Sequence, residues 1–172
     1  MFSLEKQNAK LTSVNPRAEI HGTDKVMAAD LKFEIKVSND VLSEFDPALK
    51  SSLYKKQDGS GQTELLNEPG HLPALKFPLM GPVKWGKDFS GYEVVVHYGI
   101  SGKEDIHLAT CQVDQFRFDC QDGGTVVVAF RVIAHPEAKA LGRLCEMIQT
   151  DVELSLIEPT EEQQADDLLK AA

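Results

Sequence analysis

Apolar and polar residues alternate with a period of two along much of this chain, the spacing that puts every second side chain on one face of a pleated strand. Leu31, Phe33, Ile35 and Val37 alternate with Lys32, Glu34 and Lys36, which predicts a half-exposed strand over residues 30–38. Tyr92, Val94, Val96 and Tyr98 alternate with Glu93, Val95 and His97, a second strand. Ile106, Leu108, Phe116 and Phe118 share one parity, so residues 105–120 read as one long bent strand or two shorter ones. Asp122-Gly123-Gly124 supplies residues that tolerate positive φ and predicts a hairpin into residues 125–134. That returning run is apolar on both faces apart from Arg131, as a central strand should be. Val152, Leu154 and Leu156 alternate with Asp151, Glu153 and Ser155 in a last strand that Pro159 ends.

Two segments change period. After His135-Pro136-Glu137, a helix-start signal, Ala138, Leu141, Leu144, Cys145 and Ile148 recur at helical spacing and predict one amphipathic helix, with Cys145 buried as a small hydrophobe. Phe45-Asp46-Pro47 likewise predicts a short helix over 47–55, with Asp46 as cap and Leu49 and Leu53 on one face. Residues 57–62 read as a polar, glycine-rich loop, and four prolines restrict 69–84 to extended backbone at a sheet edge. Six to eight strands with one or two short helices predict a mainly β, single-domain antiparallel β-sandwich or open β-barrel over residues 1–158. The polar remainder, 159–172, reads as a flexible tail.

Charge narrows the partners. Eighteen basic residues face 27 acidic ones in 172, a net charge of −9. Glu158, Glu161, Glu162, Asp166 and Asp167 against Lys170 give the last fifteen residues −4. An acidic body disfavours duplex DNA but still permits a local basic groove. No run is long and apolar enough for a membrane helix, the N-terminus lacks a secretory core, and three cysteines make no disulfide framework. These features predict a soluble, cytoplasmic protein with no membrane contact.

The chain carries no P-loop, G-x-G-x-x-G, G-x-S-x-G or H-E-x-x-H motif, so the expectation is no catalytic residue, no cofactor and no enzyme. His97 and His107 form a candidate polar cross-strand pair if the hairpin between them aligns Val96 and Tyr98 with Ile106 and Leu108, with Glu93 and Cys111 as a second pair. Two imidazoles alone, without a third ligand, predict a polar stripe and no metal. His21, His71 and His135 read as turn or capping residues. The segment around Lys76, Lys84, Trp85, Lys87 and Phe89 is the candidate interaction surface: lysines among aromatics suit single-stranded DNA, while the same pattern also describes an edge strand whose rings fill the core.

Leu72-Pro73-Ala74-Leu75-Lys76-Phe77-Pro78 and Asp122-Gly123-Gly124-Thr125-Val126-Val127-Val128 resemble small acidic proteins encoded by bacteriophages and prophages, over most of the chain. The resemblance brings no assigned activity and no catalytic motif. It implies the bacterial host cytoplasm and an accessory role, such as inhibition of a host defence system or help in replication or recombination. The expectation is therefore a non-enzymatic protein that binds a host or phage protein. The alternative is a single-stranded DNA binder whose acidic tail competes for the groove, and an edge-paired homodimer is a further possibility.

Overall fold

The computed structural model describes residues 2–57, 70–99 and 102–160. The chain is mainly β, as the alternation predicts, and its principal sheet closes into a barrel. Strands β1 (Leu4–His21), β2 (Asp24–Ser38), β6 (Phe89–His97), β7 (Ile106–Gln121), β8 (Thr125–Ala134) and β9 (Asp151–Ile157) are antiparallel neighbours in the cyclic order β7-β6-β9-β1-β2-β8, and β8 returns to β7. The short edge strand β5 (Val83–Trp85) pairs with β7 beyond the end of β6. Strands β3 (Tyr54–Lys55) and β4 (Ala74–Leu75) form a separate two-stranded ribbon. Six strands leave an interior that side chains fill.

β7 makes this closure possible. Its inward residues are Ile106 and Leu108, then Cys111 and Val113, then Phe116 and Phe118, so the parity shifts twice. The shifts fall at Thr110 and Gln115, both left-handed at φ 54°, and each coincides with a register slip against a neighbouring strand. Each is a β-bulge, one extra residue that bends the strand and increases its twist. One strand, bent twice, therefore serves β6, β5 and β8.

β1 was hidden by its own polarity. Only Ala9 and Leu11 are fully buried along it, and bulges interrupt its pairing between Leu4 and Gln7 and between Leu11 and Ser13. Residues 17–21 of β1 and 24–28 of β2 pair only with one another, a ribbon extending past the ends of β8 and β9 from the Pro16–Ala29 pair outward. Pro16 is tolerated there because the far edge of β1 carries no ladder at that point.

Aromatic rings fill one end of the barrel. Phe45, on helix α1 (Leu42–Phe45), meets Phe2, Trp85, Phe89, Phe116 and Phe118 with centroids 4.8–6.3 Å apart, mostly edge-to-face. Tyr92 points inward and donates to the Phe2 carbonyl at 2.9 Å. Helix α2 (Leu49–Leu53) follows the predicted start, with Asp46 Oδ1 accepting from the Ala48 N–H at 2.7 Å.

The other gap, where β8 ends short of β7's first half, is covered by helix α3 (Ala138–Glu146) through Leu141, Leu144 and, just past its end, Met147. Cys145 is exposed, contrary to the predicted face. The buried stripe is centred on Leu144, and Gln149, left-handed at φ 68°, turns the chain back onto Leu11. The burial of Cys111 pushes its thiol up to about 12, and burial also raises Cys120. Ellman's reagent should therefore react rapidly with one thiol, Cys145, in the folded protein and with all three after denaturation. Rapid reaction at Cys111 would contradict the fold.

Candidate functional site

The segment carrying the candidate interaction residues divides into an inner and an outer set. Trp85 turns inward onto Phe45 and Phe118, and Phe89 is buried against Phe45, Tyr92 and Phe116. Neither ring is presented as a stacking platform, so of the two readings of this segment the core-filling one describes them. The lysines lie outside. Lys84 is exposed, opposite Arg117 on β7; Lys87 sits 5.2 Å over the Phe89 ring; Lys76 donates its Nζ to the Ser51 carbonyl at 2.6 Å. Lys84, Arg117, Lys32 and Arg131 border an open depression of about 690 Å³, with Glu34 and Asp88 among them.

Between Lys76 and Lys84 the chain leaves the body of the protein. All seven residues of loop 76–82 are exposed, Leu79 completely, with Phe77 at 54% and Met80 at 49%. Pro78 and Pro82 stiffen the loop, and the Met80 N–H donates to the Phe77 carbonyl at 3.0 Å. Its base is fixed twice over. The β3–β4 ribbon holds one side, with Lys76 N–H donating to Leu53 O, while Leu75 N–H donates to Asp122 Oδ1 and Gly123 N–H to Pro73 O. Tyr54 completes the join, its hydroxyl lying between the carbonyls of Gln121 (3.0 Å) and Thr125 (2.9 Å), to which it donates. The loop is thus an exposed apolar tip on a fastened base.

The predicted pairing of His97 with His107 does not occur. The hairpin is set two residues from the predicted register at its turn, with Val96 opposite Ile106, so His107 lies opposite Val95 and His97 opposite Glu153 on β9; further along, the bulges at Thr110 and near Gly91 put Tyr92 opposite Cys111. His107 Nδ1 meets Glu93 Oε1 at 3.1 Å on open surface. His97 instead joins a row whose other members gave no sequence signal. Its Nδ1 lies 2.8 Å from Asp105 Oδ2 and its Nε2 lies 2.8 Å from Ser155 Oγ. Asp105 also accepts the Tyr98 N–H through Oδ1, and that bond, with the one to His97, lowers its pKa below the usual aspartate value. The carboxylate is acceptor-only when ionised, so it takes a proton from Nδ1, and in the neutral imidazole this leaves Nε2 to accept from the Ser155 hydroxyl. The Lys6 N–H, in the β1 bulge where Lys6 is left-handed at φ 44°, donates to the same Oγ at 3.0 Å.

A second polar row crosses the outer face of four strands. Arg131 donates both Nε and Nη2 to Asp114 at 2.8 and 2.7 Å and approaches Asp30 at 3.6 Å, and Asp30 accepts from Arg17, which also pairs with Glu19. His135 Nε2 meets Glu19 at 3.0 Å, tying the β1–β2 ribbon to the entry of α3. Asp114 is buried, and the fork-to-fork geometry satisfies it. The row is a brace that keeps the β1–β2 ribbon in place.

Among the described residues no group of three or more His, Cys, Asp or Glu side chains converges on a metal-sized site, and no helix is long and apolar enough to cross a membrane. Of the acidic-tail residues, Glu158 is half-buried at the end of β9, while Glu161, Glu162, Asp166 and Asp167 lie outside the described residues, as does most of the predicted loop 57–62. His71 is exposed in coil and His21 ends β1, opposite Asp24. Comparison with family models, curated proteins and solved structures returns no match.

Because folding lowers the Asp105 pKa, its contribution to stability is complete above about pH 4, where a free aspartate is ionised, and is lost as pH falls through the folded value. Asp105→Asn should therefore lower the urea midpoint at pH 7, with the gap to wild type closing towards pH 2. A gap independent of pH would contradict the row.

Proposed function

We propose that the barrel is a docking scaffold that binds a protein partner through loop 76–82, in the manner of an accessory inhibitor or adaptor acting in the bacterial cytoplasm. One observation carries this reading: three large apolar side chains, Phe77, Leu79 and Met80, stand exposed together on a loop whose base is hydrogen-bonded to the barrel. Burying one such side chain against a partner is worth about 1.5–3 kcal/mol, and a fixed base spares the ordering cost of docking.

Charge indicates the partner's chemistry. The chain is acidic, at −9, yet the loop is flanked by Lys76 and Lys84, so it suits an apolar cleft with an acidic rim. The resemblance to phage-encoded proteins makes a host or phage protein the natural source of that cleft. The depression bordered by Lys32, Lys84 and Arg117 favours, as a second reading, single-stranded DNA held by its backbone alone, since Trp85 and Phe89 face inward.

Affinity capture from bacterial host lysate with wild type and Leu79→Asp tests the first reading. Wild type should retain a stoichiometric protein, and the folded Leu79→Asp variant should retain at least tenfold less. Equal retention by both would remove the loop as the docking element.

Titration with labelled oligonucleotides tests the second reading. It requires affinity that falls as salt rises and drops further in Lys84→Glu, and flat titrations at low salt would remove it.

A further inference from the structure

We propose that Ser155, His97 and Asp105 form an acyl-transfer site, with Ser155 as nucleophile, for small carboxylic esters. The argument is independent of loop 76–82 and shares no residue with it.

The three groups come from different parts of the chain. Ser155 is on β9, His97 ends β6, and Asp105 precedes β7. Pairing of β6 with β9 brings them into line with two successive 2.8 Å contacts. The sequence of roles is that of an activated hydroxyl: a carboxylate orients an imidazole through Nδ1, and the imidazole's Nε2 is left to receive the hydroxyl proton. Asp105 is itself fixed by the Tyr98 N–H, so the imidazole ring is held from behind.

Burial suits the task. Ser155 is 7% exposed, and the side chains of His97 and Asp105 are 18% and 13% exposed, shielded yet not sealed. The hydroxyl is held from two sides, by the imidazole and by a directed backbone amide. The amide is Lys6 N–H, 3.0 Å from Oγ, and it is aimed there by a bulge that leaves a lysine left-handed. Bulges that re-aim groups beside a site are a recognised device. An open groove of about 710 Å³ runs along the β1–β9 seam beside Ser155, lined by Leu4, Glu5, Lys6, Ile157 and Glu158 among others, and is the approach for an acyl group. Glu5 and Glu158 border the same groove and disfavour an anionic acyl group, so the substrate class is a small ester without negative charge.

In the reaction, Ser155 Oγ forms a bond to the ester carbonyl carbon while its proton passes to His97 Nε2. The carbon–oxygen bond to the leaving group breaks, and that oxygen takes the proton from Nε2. Water then attacks the acyl-serine, again giving its proton to Nε2, and the Oγ–carbon bond breaks with that proton returning to Oγ. The net change is ester plus water to carboxylic acid plus alcohol. The Lys6 N–H, which donates to Oγ in the resting site, becomes free to donate to the developing oxyanion once Oγ bonds the carbonyl carbon.

The test is incubation of the folded full chain with p-nitrophenyl acetate and, separately, with a fluorophosphonate ester, followed by intact mass and peptide mapping. Fluorophosphonate should add one phosphonyl group at Ser155, with loss of fluoride, and p-nitrophenolate should be released catalytically. Ser155→Ala should abolish the adduct, and His97→Gln and Asp105→Asn should each slow its formation at least tenfold while remaining folded by circular dichroism. No adduct at Ser155 in wild type, acylation confined to lysines, or labelling undiminished in folded His97→Gln would each overturn the proposal. The wild-type measurement is decisive even if a variant fails to fold.

Discussion

The fold depends on the double bend in β7. A flat strand of sixteen residues pairs one neighbour per edge and cannot curl far enough to meet the other end of its own sheet. The bulges at Thr110 and Gln115 let β7 follow β6, release it, accept β5 on the same edge, and close onto β8. Each also returns an apolar residue to the interior at the point where strict alternation would have turned it out. The aromatic cluster around Phe45 and Phe116 exists because the second bulge restores Phe116 and Phe118 to the inside.

Those bulges also explain where the sequence was readable and where it was not. Strands with unbroken alternation, such as β2 around Leu31, Phe33 and Ile35, declared their buried face, although β2 starts at Asp24, six residues before the predicted 30, where its pattern is no longer regular. In β7 the equal parity of Leu108 and Phe116 concealed two one-residue bulges between them, and at the turn a slip of two residues leaves every side chain on its own face, so alternation could not reveal the partners of His97 and His107. A left-handed threonine or glutamine carries no compositional mark. β1 was missed because a strand paired on both edges for only part of its length needs few apolar residues, and it has two that are fully buried. Helix α3 was found, but an error of one position in the centre of its stripe put Cys145 on the wrong side.

Candidate chemistry was less legible than architecture for the same reason. Lys84 and Trp85 are adjacent, and a strand necessarily sends them to opposite faces, which separates the charge from the ring. Ser155 and Asp105 look like ordinary polar residues in a strand and a loop, and only the cyclic strand order brings β9 beside β6 and places them on either side of one imidazole. Loop 76–82 lay within the segment the sequence marked for interaction, but there the lysines and Trp85 drew the eye, while the exposed side chains are Phe77, Leu79 and Met80, which stand over a ribbon only two strands wide.

The ribbon of residues 17–28 stands apart from this economy. Two bare margins of main chain run along it, an invitation to any stray extended polypeptide. An imide ring at Pro16 removes one donor from that margin, and the Arg17, Glu19 and Asp30 charges hold the ribbon to its own barrel. Such fittings cost little in a folded monomer, and they oppose self-templated stacking at the high local concentrations of an overexpressing cell.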